Sequence, residues 1–138
     1  MVSPMPPSTL VAEATRRSGV VWVSAAANAH AAAAAPALVW HVWHDGAMYV
    51  VGGGPEQPLP VRPGEAAQVV VRSKASQAGV VVEWSATVDA VLPGTPLWAG
   101  VTPLLAAARL NAAADQADRW AAECVVLRFT PAGEVRTT

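Results

Sequence analysis

Two histidines, His41 and His44, stand three residues apart in the stretch VWHVWHDGAMYVVGGG (residues 39–54), and such a pair invites a metal ion. The residues around them are β-branched and aromatic, which places the pair on a strand. Residues three apart on a strand point to opposite faces and cannot share one ion. The third histidine, His30, sits in an Ala-rich stretch without acidic or thiol neighbours, and no zinc-type spacing is present. No metal is expected. Cys124, the one cysteine, opens an apolar run, where a thiol is ordinarily inert packing. A single cysteine also excludes an internal disulfide framework and fits a reducing compartment. The chain has no nucleophile elbow, no paired acidic motif and no Walker loop.

The remaining chemistry is that of binding. Arg72 and Lys74 are two apart at the end of a β-rich run, hence on one face, with Ser73 pointing the other way. A guanidinium beside an ammonium is repulsive unless water or an anion bridges them, so this is the chain's best phosphate-binding pair. A solvated strand end is the equal alternative. Arg109 can hold an anion or cap a helix end. Gly52, Gly53 and Gly54 follow a strand but open no helix, so they are not a dinucleotide fingerprint. Either the strand exit needs positive φ, or the missing Cβ atoms let a flat cofactor or a partner approach the backbone. Trp22, Trp84 and Trp120 fall on apolar faces and read as core or interface. Trp40 and Trp43 face opposite ways, so at most one of them lines a pocket and stacks on a planar ring.

The elements that must position these groups are legible from periodicity. A chain of 138 residues suits one domain. It is 53% hydrophobic and 14% charged, a surplus of apolar surface that an interface would bury, most simply that of a two-fold homodimer. The net charge of −1, without a basic stripe, argues against nucleic acid and acidic membranes as partners. No apolar run approaches the ~20 residues that span a bilayer. Arg16-Arg17 and the small residues beyond them mimic an export signal, but VVWVS reads as a strand, and the expected location is cytoplasmic.

Residues 1–7 are expected to be an extended, flexible segment. A helix follows Ser8, with Leu10, Val11 and Ala14 on one side, Arg16 and Arg17 in its last turn and Gly19 as its stop. A strand spans about Val20 to Ala26. Asp45-Gly46 closes a hairpin that sets Val42 opposite Tyr49, Trp43 opposite Met48 and His44 opposite Ala47. One face then carries Val39, His41, Trp43, Met48 and Val50; the other carries Trp40, Val42, His44, Tyr49 and Val51. Residues 52–65 are irregular, and strands are expected at 67–73 and 80–91, the second with Val82, Trp84, Ala86, Val88 and Ala90 facing one way. Thr95 caps a helix that Thr102-Pro103 restarts and that ends near Leu110. A short helix in DQADRWAAE precedes a last strand, 124–131, and a tail, 132–138. Six antiparallel strands with attached helices suggest a mainly β barrel.

GVVWVS, ALVWHVWHDGAMYVV, VVVRSKASQAGVVVEWSATVDAV and PLWAGVTPLLAAARLN, in that order, resemble the flavin-binding split β-barrels, the superfamily of pyridoxamine 5′-phosphate oxidase and its deazaflavin-dependent relatives. The likeness covers residues 8–131 and lies in element order and texture. It implies a six-stranded antiparallel split barrel, a homodimer, and cofactor sites in clefts between subunits. It also implies an oxidoreductase acting on a small-molecule substrate. A binding protein without turnover, or an interaction protein with a vestigial cleft, is the alternative. Members that use FMN hold its phosphate with basic and hydroxyl side chains after the third strand and on the fourth. Here the segment after the third strand is GGGPEQPLP, a departure for which Arg72, Ser73 and Lys74 are the candidate compensation. Gly52, Gly53, Gly54, Trp43 and His41 are the other expected cofactor contacts. The glycine-rich loop alternatively suits an 8-hydroxy-5-deazaflavin coenzyme, or marks a member without a flavin.

Overall fold

The computed structural model describes residues 7–26, 35–72, 81–109 and 113–137; His30, Ser73 and Lys74 lie outside them. Helix α1 (Pro7–Arg17) leads into strands β1 (Val20–Ala25), β2 (Ala37–Trp40), β3 (Val42–His44), β4 (Ala47–Gly52), β5 (Ala66–Arg72) and β6 (Val81–Val91). Helices α2 (Pro96–Ala108) and α3 (Gln116–Glu123) follow, and β7 (Val125–Thr137) ends the chain. The strands form one antiparallel sheet in the order β2-β1-β5-β6-β7-β4-β3.

The sheet has seven strands where six are expected. The expected strand at 37–44 is interrupted at His41 because its two halves pair with different neighbours, β2 with β1 and β3 with β4. The two edges of the sheet are therefore consecutive in the chain, and the curled sheet returns to itself at one seam. The Gln57 side chain crosses that seam. Its Oε1 accepts from the Trp40 backbone N–H (3.0 Å), and its Nε2 donates to the carbonyls of Trp40 (3.0 Å) and Val51 (3.1 Å). A side-chain amide thus replaces the ladder bonds that the strand break removes.

The hairpin register is the expected one, with Val42, Trp43 and His44 opposite Tyr49, Met48 and Ala47. Asp45 (φ 47°) and Gly46 (φ 81°) both take positive φ, as a two-residue type I′ turn requires. Alternation then sorts two cores. The inner face of the sheet buries Val39, Met48, Val50, Trp84 and Phe129, and α1 packs into it through Val11, with Leu10 and Ala14 alongside. The outer face at β4 and β7 buries Tyr49, Val51 and Val126 under Val101 and Leu105 of α2 and Trp120 of α3. Strand β4 is consequently buried on both faces. Thr15 of α1 is fully buried, and its Oγ1 accepts a hydrogen bond from Trp84 Nε1 (3.1 Å).

Three features differ from expectation by more than a residue at an element's end. Helix α2 runs through Pro103 unbroken, although Pro lacks the donor of an internal helical bond; the residue before it, Thr102, donates through Oγ1 to Trp98 O (2.8 Å). Strand β7 continues past Pro131 to Thr137, since an irregularity opposite Trp84–Ala86 absorbs the proline before Val135 pairs with Trp84. Ala90 is exposed near the end of β6, while Val91 is buried in the outer core. No helix among the described residues is long and apolar enough to cross a membrane.

Candidate functional site

A cavity of about 400 Å³ opens where the end of α1 meets the seam. Trp40, His41 and Trp43 line it from the sheet, and Arg16, Arg17 and Ser18 from the helix end; both tryptophans reach it, where at most one is expected, because the strand breaks at His41 between them. Its size falls within the usual range for small-molecule sites. The sequence explains the convergence. Alternation aims His41 inward with Trp43, whose ring meets Trp84 edge-on (centroids 6.0 Å apart, planes at 85°). The apolar stripe of α1 fixes the helix over the inner core, and this carries its last turn to the rim. Arg16 and Arg17 both pair with Glu13, two cations to one anion, so the rim keeps a positive excess. His44, on the opposite face as expected, lies against Tyr49 instead (ring centroids 6.4 Å).

His41 is 8% exposed, and among the described residues neither Nδ1 nor Nε2 has a hydrogen-bond partner. Its pKa is lowered to about 4, because burial disfavours the imidazolium; the Ser18 backbone offsets part of that drop without making a well-formed bond. The sign of the pH dependence follows. Between the ordinary value of 6.5 and about 4, the unfolded chain binds a proton that the folded chain refuses. Stability is therefore expected to fall as pH drops through that window, by up to about 3 kcal/mol, with no contribution from His41 above it. Urea midpoints measured across that window check this, and His41→Leu should remove most of the decline.

The expected phosphate pair is only partly in view. Arg72 is exposed at the end of β5. Because Trp22 pairs with Val70, Arg72 stands level with Val20, and Val20 pairs with Trp40. Arg72 thus shares a row with a cavity residue, two strands or about 10 Å away.

Two of the three glycines lie close against other parts of the chain. A Cβ on Gly52 would run into the Leu59 side chain. Gly54 has φ 52°, and a Cβ there would lie 2.6 Å from Glu123 O. Gly53 faces open space. The loop after β4 is held tightly at its next residues as well. The Glu56 carboxylate, 4% exposed, accepts from Arg109 Nε (2.9 Å) and Trp120 Nε1 (3.2 Å). Arg109 therefore meets a carboxylate of this chain. Cys124 lies beside the loop, and burial, then the Glu56 charge, push its thiol pKa up, which disfavours the thiolate.

Glu56, Gln57 and Thr15 escaped the sequence reading. The available signal was two adjacent polar residues, Glu56-Gln57, inside an otherwise Pro- and Gly-rich connection. Beside the cavity, the outer face of β1 and β2 leaves Val20, Trp22 and Leu38 exposed at 44%, 39% and 50%. Trp22, expected in a core or an interface, lies outside both cores.

No protein-family model matches the sequence, and no curated protein does. Solved structures do match the fold. HutZ, the heme storage protein from Vibrio cholerae, aligns with a TM-score of 0.62 at 12% identity, over 96% of this chain and 94% of its own. A pyridoxamine 5′-phosphate oxidase-like protein from Listeria innocua gives a TM-score of 0.62 at 12% identity, over 96% and 98%. An F420 reductase gives 0.55 at 14% identity, over 90% and 94%.

Proposed function

We propose that this chain, which has the split β-barrel fold of the pyridoxamine 5′-phosphate oxidase-like proteins, binds a flavin-type cofactor in a crevice completed by a second copy, and uses it to oxidise or reduce a small molecule. The observation that carries the proposal is the cavity at the seam. It joins aromatic walls, a buried imidazole and a cationic rim, and its Trp40 shares a row with Arg72.

The residues present fit a flavin in one orientation. The loop after β4 is unsuited to phosphate, since Glu56 is a buried anion and Gln57 is committed to the seam. Arg72, with Lys74 beyond it, would take the phosphate, and the cavity would take the ring. FMN and the deazaflavin coenzyme both meet that description. A bound flavin supplies the redox chemistry; the chain would hold its ring, shield it from water and orient it. A second reading is a protein that holds such a ligand without turnover. The fold likeness to a heme storage protein favours it.

The test is the absorbance of the purified protein, mass spectrometry of the ligand it releases, and reduction of that ligand by NADPH or by reduced deazaflavin. Turnover of electrons separates the oxidoreductase from the holder. Replacing Arg72 and Lys74 together by Ala removes two charge-assisted contacts and is expected to weaken FMN binding on the order of 100-fold or more. The far-UV spectrum should not change. FMN affinity equal to that of the parent would strip the pair of its role.

A further inference from the structure

We infer that the chain forms a two-fold dimer in which α2 of each copy lies on the bare outer face of β1 and β2 of the other. The proposed function calls for a second copy at the crevice; this inference says which surfaces meet, and the two can fail separately.

Two apolar surfaces of one copy have no cover among the described residues. One is the sheet face that carries Val20, Trp22 and Leu38. The other is the far side of α2. Val101 and Leu105 pack on the outer core, but Pro96, Ala99, Gly100, Pro103, Leu104 and Ala107 are exposed along one side of the helix. A helix on a protein surface ordinarily turns a polar face to water, and one that is apolar all round is a buried helix. No charged residue occurs from Ala90 to Ala108. The two threonines of that segment bond to its own backbone, Thr95 as the helix cap and Thr102 at Trp98 O. Thirteen residues are too few to span a bilayer. A helix lying on a membrane surface would carry lysines or arginines beside its apolar face, and α2 carries none.

The two surfaces adjoin at the seam, where Ala108 of α2 and Trp40 of β2 line the same cavity. On one side of the cavity a helix overlies the sheet; on the other the sheet is bare. The surface therefore has a step about one helix diameter high, roughly 10 Å. A two-fold axis along the seam sets the raised half of each copy onto the lowered half of the other. A step is self-complementary under that operation, as an interface between identical surfaces requires. The exposed apolar side chains of the two halves amount to on the order of 500 Å² per copy, close to the apolar share of the about 800 Å² that each partner gives a standard interface. The cavity opens at the step, so the second copy closes over it.

Sedimentation equilibrium of two variants tests the arrangement. Leu38→Glu on β2 and Leu104→Lys on α2 each put a charge into an apolar contact. Each alone is expected to raise the dissociation constant of the dimer about 30-fold or more. Mixed in equal amounts, the two should recover most of that loss. The mixed dimer has an opposite-charge pair at one contact and the parent's leucines at the other. Both leucines are half-exposed in the single copy, so the separated subunits should keep the parent's far-UV spectrum. A variant that stays dimeric overturns the inference, as does a mixture that stays monomeric, since unlike faces would then not be meeting. A variant that fails to fold also overturns it, because the side chain would be serving its own subunit. These outcomes leave the flavin proposal standing, which is read from cofactor uptake by the parent. A parent that takes up flavin yet sediments as a monomer at micromolar concentration overturns the inference and the shared crevice together.

Discussion

Trp22→Glu is expected to convert a dimer into a folded monomer. The outer face of the sheet is covered at β4 and β7 by α2 and α3, but no helix among the described residues covers it at β1 and β2. There Trp22 pairs with Leu38 and with Val70, and Val20 lies one row on. Three exposed apolar side chains on adjacent strands form a patch that a small monomer seldom leaves in water. A second copy is the occupant proposed here, because the patch adjoins the cavity at the row of Trp40, Val20 and Arg72. The face turns polar one row further, where Gln68 Nε2 donates to Ser85 Oγ (2.9 Å), so the patch has a rim. A central interface tryptophan is commonly worth 2–4 kcal/mol, roughly 30- to 1,000-fold in dissociation constant, and a buried carboxylate adds to that. Sedimentation equilibrium should show the change in mass. The monomer should keep its fold, because Trp22 points away from the inner core that Val21 and Val23 fill. Flavin binding should be lost along with the dimer if the crevice needs both copies. A parent protein that sediments as a monomer at micromolar concentration, or a Trp22→Glu variant that stays dimeric, would remove the shared crevice.

What was legible in the sequence was local. The Asp45-Gly46 turn set the register of a whole hairpin because its two positive φ values suit few other residue pairs. The alternation along 39–51 sorted residues between two cores because a strand's period is two. The strand break at His41 was not legible. Nothing in its neighbours forbids a continuous strand; the interruption arises when a curled sheet meets its own edge. The Gln57 bridge and the Glu56 contacts join residues 17, 53 and 64 positions apart, beyond the reach of any periodicity. The same division holds at the site. His41 and Trp43 were identifiable as sharing a face. Arg16 and Arg17 read as ordinary helix-end cations, and only the docking of α1 across the inner core brings them to the cavity. The glycines carried a correct signal of close approach at Gly52 and Gly54, but the approaching atoms belong to Leu59 and Glu123.

That docking makes Trp84 the residue whose loss should cost the most stability. Its ring is 1% exposed and central to the inner core. It meets Trp43 edge-on, a geometry worth about 0.5–1.5 kcal/mol beyond burial, and its Nε1 donates to the buried Thr15 hydroxyl of α1. Trp84→Ala should therefore cost about 3–5 kcal/mol, against a total of roughly 5–15 for an ordinary domain, and lower the melting temperature on the order of 10 °C or more. Thermal unfolding reads this directly. A loss below about 1 kcal/mol would mean that the core closes over the gap, and that the ring does not hold α1 in place. Trp84→Phe separates the two roles of the side chain. It retains most of the aromatic packing but deletes the N–H, leaving the Thr15 oxygen without its donor at a cost of about 1–3 kcal/mol. Since α1 brings Arg16 and Arg17 to the cavity, that variant should stay folded at 25 °C yet bind flavin more weakly. A Trp84→Phe protein with the parent's flavin affinity would show that the helix is seated by its apolar stripe alone, through Leu10, Val11 and Ala14.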